Sequence, residues 1–173
     1  MKKSLLLLLM LIGVSAFSQD MITKHTGEVI PAKVVRVNEY TVVYSYPNET
    51  VENMESIYAI EKIVFSSGRV QQLSDKIVVN SKDDWEKVVI LEDKSYIAGL
   101  KKGKEIKGKT GFVSFHTGNT ADNKATKKLK MEAAEGGYPF ILLTADKDIN
   151  QSGATGPSFG AVQAIRKGVT YKY

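Results

Sequence analysis

Residues 103–110 read GKEIKGKT and match the pattern G-x-x-x-x-G-K-[ST] at every fixed position. In nucleotide hydrolases a loop with this pattern wraps backbone N–H groups around a phosphate. Its lysine reaches the terminal phosphates and its hydroxyl binds magnesium. The chemistry also requires a helix that begins at the lysine, because the positive end of the helix dipole faces the anion. The residues after Lys109 therefore decide what the match means.

The segment after Lys109 has the composition of a strand rather than a helix. It reads TGFVSFHTG, in which two phenylalanines and a valine stand among small polar residues. We therefore predict that residues 103–110 form a hairpin or a bent strand. Ile106 should face inward, while Gly108 and Gly111 permit a bend or a bulge. Accordingly, we expect no nucleotide and no other cofactor.

Lysines are concentrated in and after this stretch, since residues 101–135 hold nine lysines and four acidic residues. The ordinary interpretation is a solvated face, with Asp122, Glu132 and Glu135 diluting the positive charge. The alternative is a patch for an anionic partner such as lipopolysaccharide or an acidic glycan. Six lysines would form this patch: Lys104, Lys107, Lys109, Lys124, Lys127 and Lys128.

Other groups that could carry chemistry are few. The two histidines, His25 and His116, lie in different halves of the chain, and only Asp122 is close to His116 in sequence. A metal site needs several converging ligands, so we interpret His116 as a strand-end histidine bonded to a backbone carbonyl. No catalytic serine or histidine–acid pair is recognisable by spacing. The sequence therefore predicts neither a metal site nor a catalytic site.

Two further sets of side chains have a functional and an ordinary interpretation. The adjacent acids Asp83-Asp84 and Glu92-Asp93 could act as carboxylate pairs. Neighbours on a strand point to opposite faces, however, so we expect these side chains to be solvated. Tyr171 and Tyr173 could stack on a sugar or a peptide, although edge-strand tyrosines usually cover a sheet.

The N-terminus has the parts of a secretory signal peptide. Lys2 and Lys3 precede an apolar run from Leu5 to Val14, which is too short to span a bilayer comfortably, and small residues follow at Ala16 and Ser18. This favours a cleaved leader, residues 1–18, over a retained membrane anchor, with cleavage after Ala16 nearly as suitable. Export also argues against a nucleotide ligand, because ATP is scarce outside the cytoplasm.

The amino-acid composition excludes several kinds of site and anchor. The chain has no cysteine, which excludes disulfides, thiolate metal ligands and an acylated N-terminal cysteine. We expect a soluble protein of the periplasm or the extracellular space, without a lipid anchor. Of 24 basic residues two lie in the leader, which leaves 22 against 19 acidic residues, or about +3. So small an excess is poor evidence for a nucleic-acid partner.

Periodicity predicts two small domains. Strand-like runs separated by turn residues fill residues 19–79, which predicts a small antiparallel β domain with Pro31 at an edge or a bulge. The polar segment 80–87 is predicted to be a linker. Residues 88–173 should form an α+β domain, in which one helix packs on a small mixed sheet.

Within the second domain, residues 119–137 predict the helix. Asn119, Thr120 or Asp122 would be its N-cap, and Gly136-Gly137 would end it. Its apolar residues recur every four positions, at Ala121, Ala125, Leu129 and Ala133.

Three segments after the helix complete the prediction. YPFILLTAD, residues 138–146, reads as a central strand covered on both faces, and the Gly- and Ser-rich residues 147–159 read as a flexible loop. Residues 160–173 should form the last strand, with Val162, Ala164 and Arg166 on one face.

The first half resembles short repeats of exported Bacteroidetes proteins. These open with D-x-I-x-x-x-x-G-x-x-I-x-A-K-V and continue to a strand rich in isoleucine and valine that ends in N-G or S-G. The resemblance covers about sixty residues and implies a cell-envelope module without an assigned role. The matching residues are Asp20, Ile22, Gly27, Ile30, Ala32, Lys33, Val34, Ile60, Ile63, Phe65 and Gly68.

The second half is similar to small envelope α+β domains, typified by the sensor lipoprotein of the Rcs stress relay and by a heavy-metal-binding pentamer family. Four features carry the similarity: Gly99 with Gly103, a strand at Gly111–His116, a helix ending at 133–137, and an apolar strand at Phe140–Leu143. The cysteines of the sensor lipoprotein are absent, so neither its disulfides nor its lipid anchor carries over. No ligand set supports the heavy-metal role.

These observations favour a non-enzymatic module of the cell envelope, with a binding or structural role. It would engage an envelope protein, a glycan or a lipid head group through its sheet edge and its lysines, and oligomers are compatible with this. The alternative is a hydrolase-type envelope enzyme whose active site is not recognisable in the sequence.

Overall fold

The computed structural model describes residues 19–110, 118–151 and 161–173. The predicted signal peptide and the segments 111–117 and 152–160 lie outside the described residues. Predictions that concern Gly111 and His116 therefore fall outside the structure as well.

The described residues form two sheets and one α-helix, which confirms the α+β fold class. Short 3-10 helices lie at Ile57–Ala59, Lys82–Lys87 and Lys94–Ile97. The strands and the helix are β1 (Asp20–Lys24), β2 (Val29–Val37), β3 (Thr41–Ser45), β4 (Glu52–Ser56), β5 (Ile60–Val64), β6 (Val70–Gln72), β7 (Val89–Leu91), β8 (Lys101–Lys109), α1 (Gly118–Glu135), β9 (Phe140–Gln151) and β10 (Ala161–Lys172).

The first sheet has six strands in the order β4-β3-β2-β1-β5-β6, and every neighbouring pair is antiparallel. The antiparallel arrangement predicted for residues 19–79 is confirmed. Strand β4 was not predicted, because its sequence ENMES has no apolar alternation and forms the exposed edge of the sheet. Burial of apolar side chains, most of them β-branched, holds this sheet together: Ile22, Ile30, Ala32, Val42, Tyr44, Ile60 and Ile63.

Pro31 lies in β2, which is an interior strand rather than an edge strand. The prediction of an edge or bulge position was therefore wrong for the strand as a whole. Pro31 nevertheless has a neighbouring strand on one side only. It pairs with Met21 of β1, while the β2–β3 register begins only at Lys33. The missing N–H of proline thus interrupts no β2–β3 pairing.

The second sheet has four strands in the order β7-β9-β10-β8. Strands β7 and β9 are parallel, whereas β10 is antiparallel to both of its neighbours, so the predicted mixed sheet is confirmed. Strand β9 is interior, as predicted. Ile141 faces the side covered by α1, whereas Phe140 and Leu142 pack on the opposite side, so both faces of this strand are covered.

Helix α1 packs its small apolar stripe on the second sheet. Ala125, Leu129 and Ala133 are fully buried, as the four-residue spacing predicted. The helix approaches β8 at Gly108, where a Cβ atom would collide with the carbonyl oxygen of Ala125. Gly137, with φ of 71°, supplies the left-handed residue after the helix.

The predicted N-cap was wrong. The helix begins at Gly118, so Asn119, Thr120 and Asp122 lie inside its first turns instead of before them. Cap-forming residues cluster over several positions here, and sequence pattern rarely fixes a helix boundary to the residue. Asp122 points toward the sheet instead, with one carboxylate oxygen 3.8 Å from Nε of Arg166.

Strand β9 is longer than expected. Residues 147–151, predicted as part of a loop, belong to β9, because β10 supplies a hairpin partner from Ala161 to Ile165. The pairing makes polar residues such as Asp148 and Asn150 part of a ladder despite their low strand propensity. Ala164 is buried against Ala125, as expected for the face that meets the helix.

Residues 80–87, predicted to form a linker, include the 3-10 helix Lys82–Lys87. Trp85 packs against the buried cluster between α1 and the second sheet. The segment therefore packs against the core of the second half through Trp85, while the division of the chain into two domains remains a prediction.

The two sheets meet through aromatic side chains. The ring of Tyr173 lies 5.4 Å from Phe140 and 4.9 Å from His25, and its hydroxyl accepts a hydrogen bond of 2.8 Å from the backbone N–H of Ile77. Tyr171 is 7% exposed. The two C-terminal tyrosines therefore cover a sheet, and stacking on a sugar is not supported.

Within the described part of the chain, no helix combines the length and the apolar character needed to cross a membrane.

Candidate functional site: a lysine groove at the edge of the second sheet

The segment that matches the phosphate loop is a strand. Gly103–Lys109 lies entirely within β8, whose residues pair with β10 from Lys101 to Lys109. A phosphate cradle needs curled backbone and a helix that starts at the lysine, whereas α1 starts at Gly118. The predicted extended conformation of residues 103–109 is confirmed, and these residues do not form the cradle.

Strand β8 is an edge strand of its sheet, and its side chains alternate between exposed and buried from Glu105 to Lys109. Ile106 is 4% exposed and contacts the cluster beneath α1, while Lys104, Lys107 and Lys109 are exposed. Near Lys104 the β8–β10 register shifts. There the hydroxyl of Thr170 accepts from the N–H of Lys104 at 2.9 Å and lies 3.0 Å from its carbonyl, so the irregular backbone remains hydrogen-bonded.

A groove of about 750 Å³ lies between this edge and helix α1. Five lysines and two glutamates line it, so its charge is positive overall. The helix contributes residues spaced three and four apart, which therefore share one face. The lining residues are Lys82, Lys104, Lys107, Lys109, Lys128, Met131, Glu132 and Glu135. We call this site the lysine groove.

Four of the six lysines predicted as an anionic-partner patch line the lysine groove: Lys104, Lys107, Lys109 and Lys128. The other two do not. Lys127 instead places its ammonium group 4.6 Å from the centre of the Trp85 ring, a cation–π contact that covers the indole. Lys124 is exposed on α1 but is not among the residues that line the groove.

Lys82 lines the groove but was not predicted. Its Nζ lies 3.4 Å from a carboxylate oxygen of Glu135, and both side chains are more than half exposed. An ion pair this exposed contributes little stability, so the ammonium group can exchange partners at small cost. No local sequence signal pointed to Lys82, because the 3-10 helix that carries it reaches α1 only through tertiary packing.

Lys107 lies among other ammonium groups. Lys167 is its direct cross-strand partner on β10, and Lys109 follows two residues later on the same face. Partial loss of hydration, together with the neighbouring charges of Lys109 and Lys167, lowers the pKa of Lys107. Like charges opposite each other in a sheet are destabilising. A bound anion would relieve this repulsion.

One member of each acid pair considered from the sequence has a local structural role. One oxygen of Asp84 accepts from the N–H of Asn80 at 2.9 Å and the other is 2.6 Å from Nζ of Lys87. Asp93 caps the following 3-10 helix by accepting from the N–H of Ser95 at 2.7 Å. These contacts lower the pKa of both carboxyl groups. The hydrogen bond from Lys87 is the main cause for Asp84, and the hydrogen bonds from Ser95 are the main cause for Asp93.

His25 also has a structural role, because its side chain is hydrogen-bonded to Ser74. Its Nε2 lies 2.9 Å from Oγ of Ser74, whose hydroxyl is 2.8 and 2.9 Å from the carbonyl oxygens of Ile57 and Ile60. Because the serine proton is directed at these carbonyls, the serine oxygen accepts from the imidazole. This polarity is opposite to that of a histidine that activates a serine.

One further polar cluster joins three strands of the first sheet. Nζ of Lys24 lies 2.7 Å from Glu55 and 3.2 Å from Glu28, and the hydroxyl of Tyr44 is 3.5 Å from Glu55. Burial tends to lower the pKa of Lys24, but the two carboxylates outweigh it and the net shift is upward. Burial, followed by the charge of Glu55, raises the pKa of Tyr44. Such shifts hold the lysine charged and the tyrosine neutral.

Among the described residues, no group of three or more His, Asp or Glu side chains is arranged to hold a metal ion. Comparison with known proteins found no matching family model, no matching curated protein and no matching solved structure.

Proposed function

We propose that this chain is an exported, non-enzymatic module of the cell envelope that binds an anionic partner in the lysine groove. The observation that carries the proposal is the convergence of five lysines on one groove of about 750 Å³. Three of them come from the edge strand, one from the helix and one from a 3-10 helix.

Electrostatics supports this assignment. The lysines outnumber the glutamates of the groove five to two, and the only ion pair found for these lysines among the described residues joins Lys82 to Glu135. Charges concentrated along a concave wall raise the local concentration of oppositely charged ligands. An anion would also offset the repulsion between Lys107 and its neighbours.

The envelope location rests on the sequence. The leader-like residues 1–18 and the resemblance of both halves to exported envelope modules support it. Anionic polymers and anionic proteins are abundant in that compartment, so a positive groove has ligands to meet there.

Binding of dextran sulfate tests the proposal. Isothermal titration calorimetry of the mature chain, residues 19–173, should show binding that weakens as salt rises from 50 to 200 mM, because mobile ions screen the attraction. The variant Lys104→Gln/Lys107→Gln/Lys109→Gln/Lys128→Gln should lose at least about tenfold in affinity, which equals roughly 1.4 kcal/mol.

A control variant distinguishes the loss of the groove lysines from a general loss of net charge. Lys33→Gln/Lys62→Gln/Lys94→Gln/Lys172→Gln removes the same number of charges at positions that do not line the groove. It should keep most of the affinity. Equal losses in the two variants, or no binding by the unaltered chain, would contradict the proposal.

A further inference from the structure

The backbone at the outer edge of β8 faces away from the sheet at the same residues that carry its lysines. The N–H of Thr110 donates to the carbonyl of Ala164 at 3.2 Å, which fixes the phase of the β8–β10 ladder. In an antiparallel ladder, residues alternate between bonding the partner strand and facing away from it. Glu105, Lys107 and Lys109 therefore direct their N–H and C=O groups outward.

No strand in the described part of the chain pairs with this edge. An edge strand of nine residues is a template for an added strand, and natural proteins often place lysines on such edges to discourage pairing. The effect of these lysines depends on the charge of the incoming strand. It acts against neutral and basic strands, whereas a strand with acidic side chains would gain from the same lysines.

The spacing of the lysines suits such a strand. Lys107 and Lys109 are two residues apart and therefore share a face, roughly 7 Å from each other along the strand. Every second side chain of an added strand has the same spacing and would lie directly opposite. Opposite charges in these cross-strand positions stabilise a sheet, and they would offset the repulsion between Lys107 and Lys167, which stay paired across β8 and β10.

We propose that the outer edge of β8 binds an extended acidic segment of another protein as an added antiparallel strand, with acidic side chains at alternating positions opposite Lys107 and Lys109. This inference rests on the proposed function, since it names the class of anionic partner. Backbone hydrogen bonds to Glu105, Lys107 and Lys109 supply affinity, and the alternating charges supply specificity.

The surroundings of the edge favour this partner over a membrane surface. A membrane-binding face combines lysines with exposed apolar side chains that enter the lipid. The exposed large apolar residues of the described chain all lie between residues 29 and 78, on the first sheet and the segment after it, and none lies on β8 or α1. A glycan or another polyanion could use the lysines but would leave the outward backbone groups unused.

Three probes test the inference on the mature chain by fluorescence anisotropy. The first is an eight-residue peptide of alternating threonine and glutamate. The second is the same peptide with N-methyl groups on the glutamate nitrogens, which keeps the charge but removes the donors that an added antiparallel strand would direct at β8. The third is dextran sulfate. The first peptide should bind at least about tenfold more tightly than its N-methylated form.

Amide hydrogen exchange locates the contact. The unmodified peptide should slow exchange at the amides of Lys107 and Lys109, and the N-methylated peptide should not. Equal affinity of the two peptides, or binding of dextran sulfate alone, would overturn strand addition while leaving anion binding intact. If none of the three probes binds, the proposed function itself fails.

A charge exchange provides the matched variant. Lys107→Glu/Lys109→Glu should lose at least about tenfold in affinity for the threonine–glutamate peptide and should instead bind an alternating threonine–lysine peptide. Both substituted side chains are exposed, so the strand should still form. If the variant is folded by circular dichroism yet fails to bind the threonine–lysine peptide, the assigned register is wrong.

Discussion

At the level of single residues, the exposed lysines of β8 differ from ordinary surface charges because they oppose one another. Lys107 faces Lys167 across the ladder and has Lys109 beside it on the same face. Residues that break a local stability rule without a visible compensation are candidates for function. This cost in the free chain is what makes the edge strand a candidate binding site.

Replacing one of these lysines should stabilise the free protein. We expect Lys107→Gln to raise the melting temperature at low salt, because the substitution removes a charge that its neighbours disfavour. The gain should shrink in 1 M salt, where the Debye length is about 3 Å. Differential scanning calorimetry measures both values, and Lys33→Gln, at an exposed position on the first sheet, should show little change. A lower melting temperature for Lys107→Gln would contradict this.

His25 should make the stability of the fold depend on pH. Burial and the nearby charge of Lys76 lower its pKa, while Glu61 and Asp75 partly oppose the shift. The unfolded chain therefore binds the proton more readily. The free energy of unfolding should be constant above pH of about 6.5 with respect to this group, and should fall as the pH drops below that value toward the folded pKa.

Urea denaturation between pH 5 and 8 measures this dependence. His25→Gln should flatten it in that window, and Lys33→Gln, at an exposed position of the first sheet, serves as a control that should retain it. If the profile of His25→Gln followed that of the unaltered chain, the buried imidazole would not be its source.

At the level of elements, the contact of α1 with β8 forms both the core of the second half and one wall of the lysine groove. Gly108 permits that contact because it has no side chain toward Ala125. We expect Gly108→Val to lower the free energy of unfolding by about 1–3 kcal/mol, as overpacking typically does. Glu105→Val, at an exposed position of the same strand, should change it far less. Chemical denaturation compares the two, and equal effects would contradict the close packing.

Much of the packing of α1 against β8 was predictable from the sequence pattern. The four-residue spacing of Ala125, Leu129 and Ala133 predicted the buried stripe, and the strand-like composition after Lys109 led to the prediction of extended backbone for residues 103–110. Apolar periodicity reports which face is buried, and it did so correctly. It does not report hydrogen-bonded partners, which is why the polar strand β4 and the polar end of β9 were missed.

The site was predictable only in part, for a related reason. Lys104, Lys107 and Lys109 lie close together in sequence, so local spacing predicted them as a group. Lys82 and Lys167 reach them through the packing of a 3-10 helix and through strand pairing, which no local pattern encodes.

At the level of the whole molecule, the two sheets are joined by an aromatic cluster at the C-terminus. Tyr173 contacts His25 of the first half and Phe140 of the second, and its hydroxyl satisfies the N–H of Ile77 between them. These contacts join the two halves of the chain at the C-terminal end of β10. The lysines of β8 remain exposed.

The hydroxyl of Tyr173 should contribute measurably to this junction. We expect Tyr173→Phe to lower the free energy of unfolding by about 1–3 kcal/mol, because the N–H of Ile77 would lose its partner in a partly buried position. Tyr138→Phe removes a hydroxyl that makes no hydrogen bond within the described part of the chain, and it should have almost no effect. Urea titration followed by Trp85 fluorescence distinguishes the two, and indistinguishable midpoints would contradict the assigned role.

Nuclear magnetic resonance of the nitrogen-15-labelled mature chain, titrated with dextran sulfate, tests most directly whether the lysine groove is the binding surface. The account predicts amide shift changes confined to β8 and to residues 128–135 of α1, with the affected signals saturating together. Changes centred on the first sheet, around Lys33 and Lys62, or no changes at saturating dextran sulfate, would contradict it.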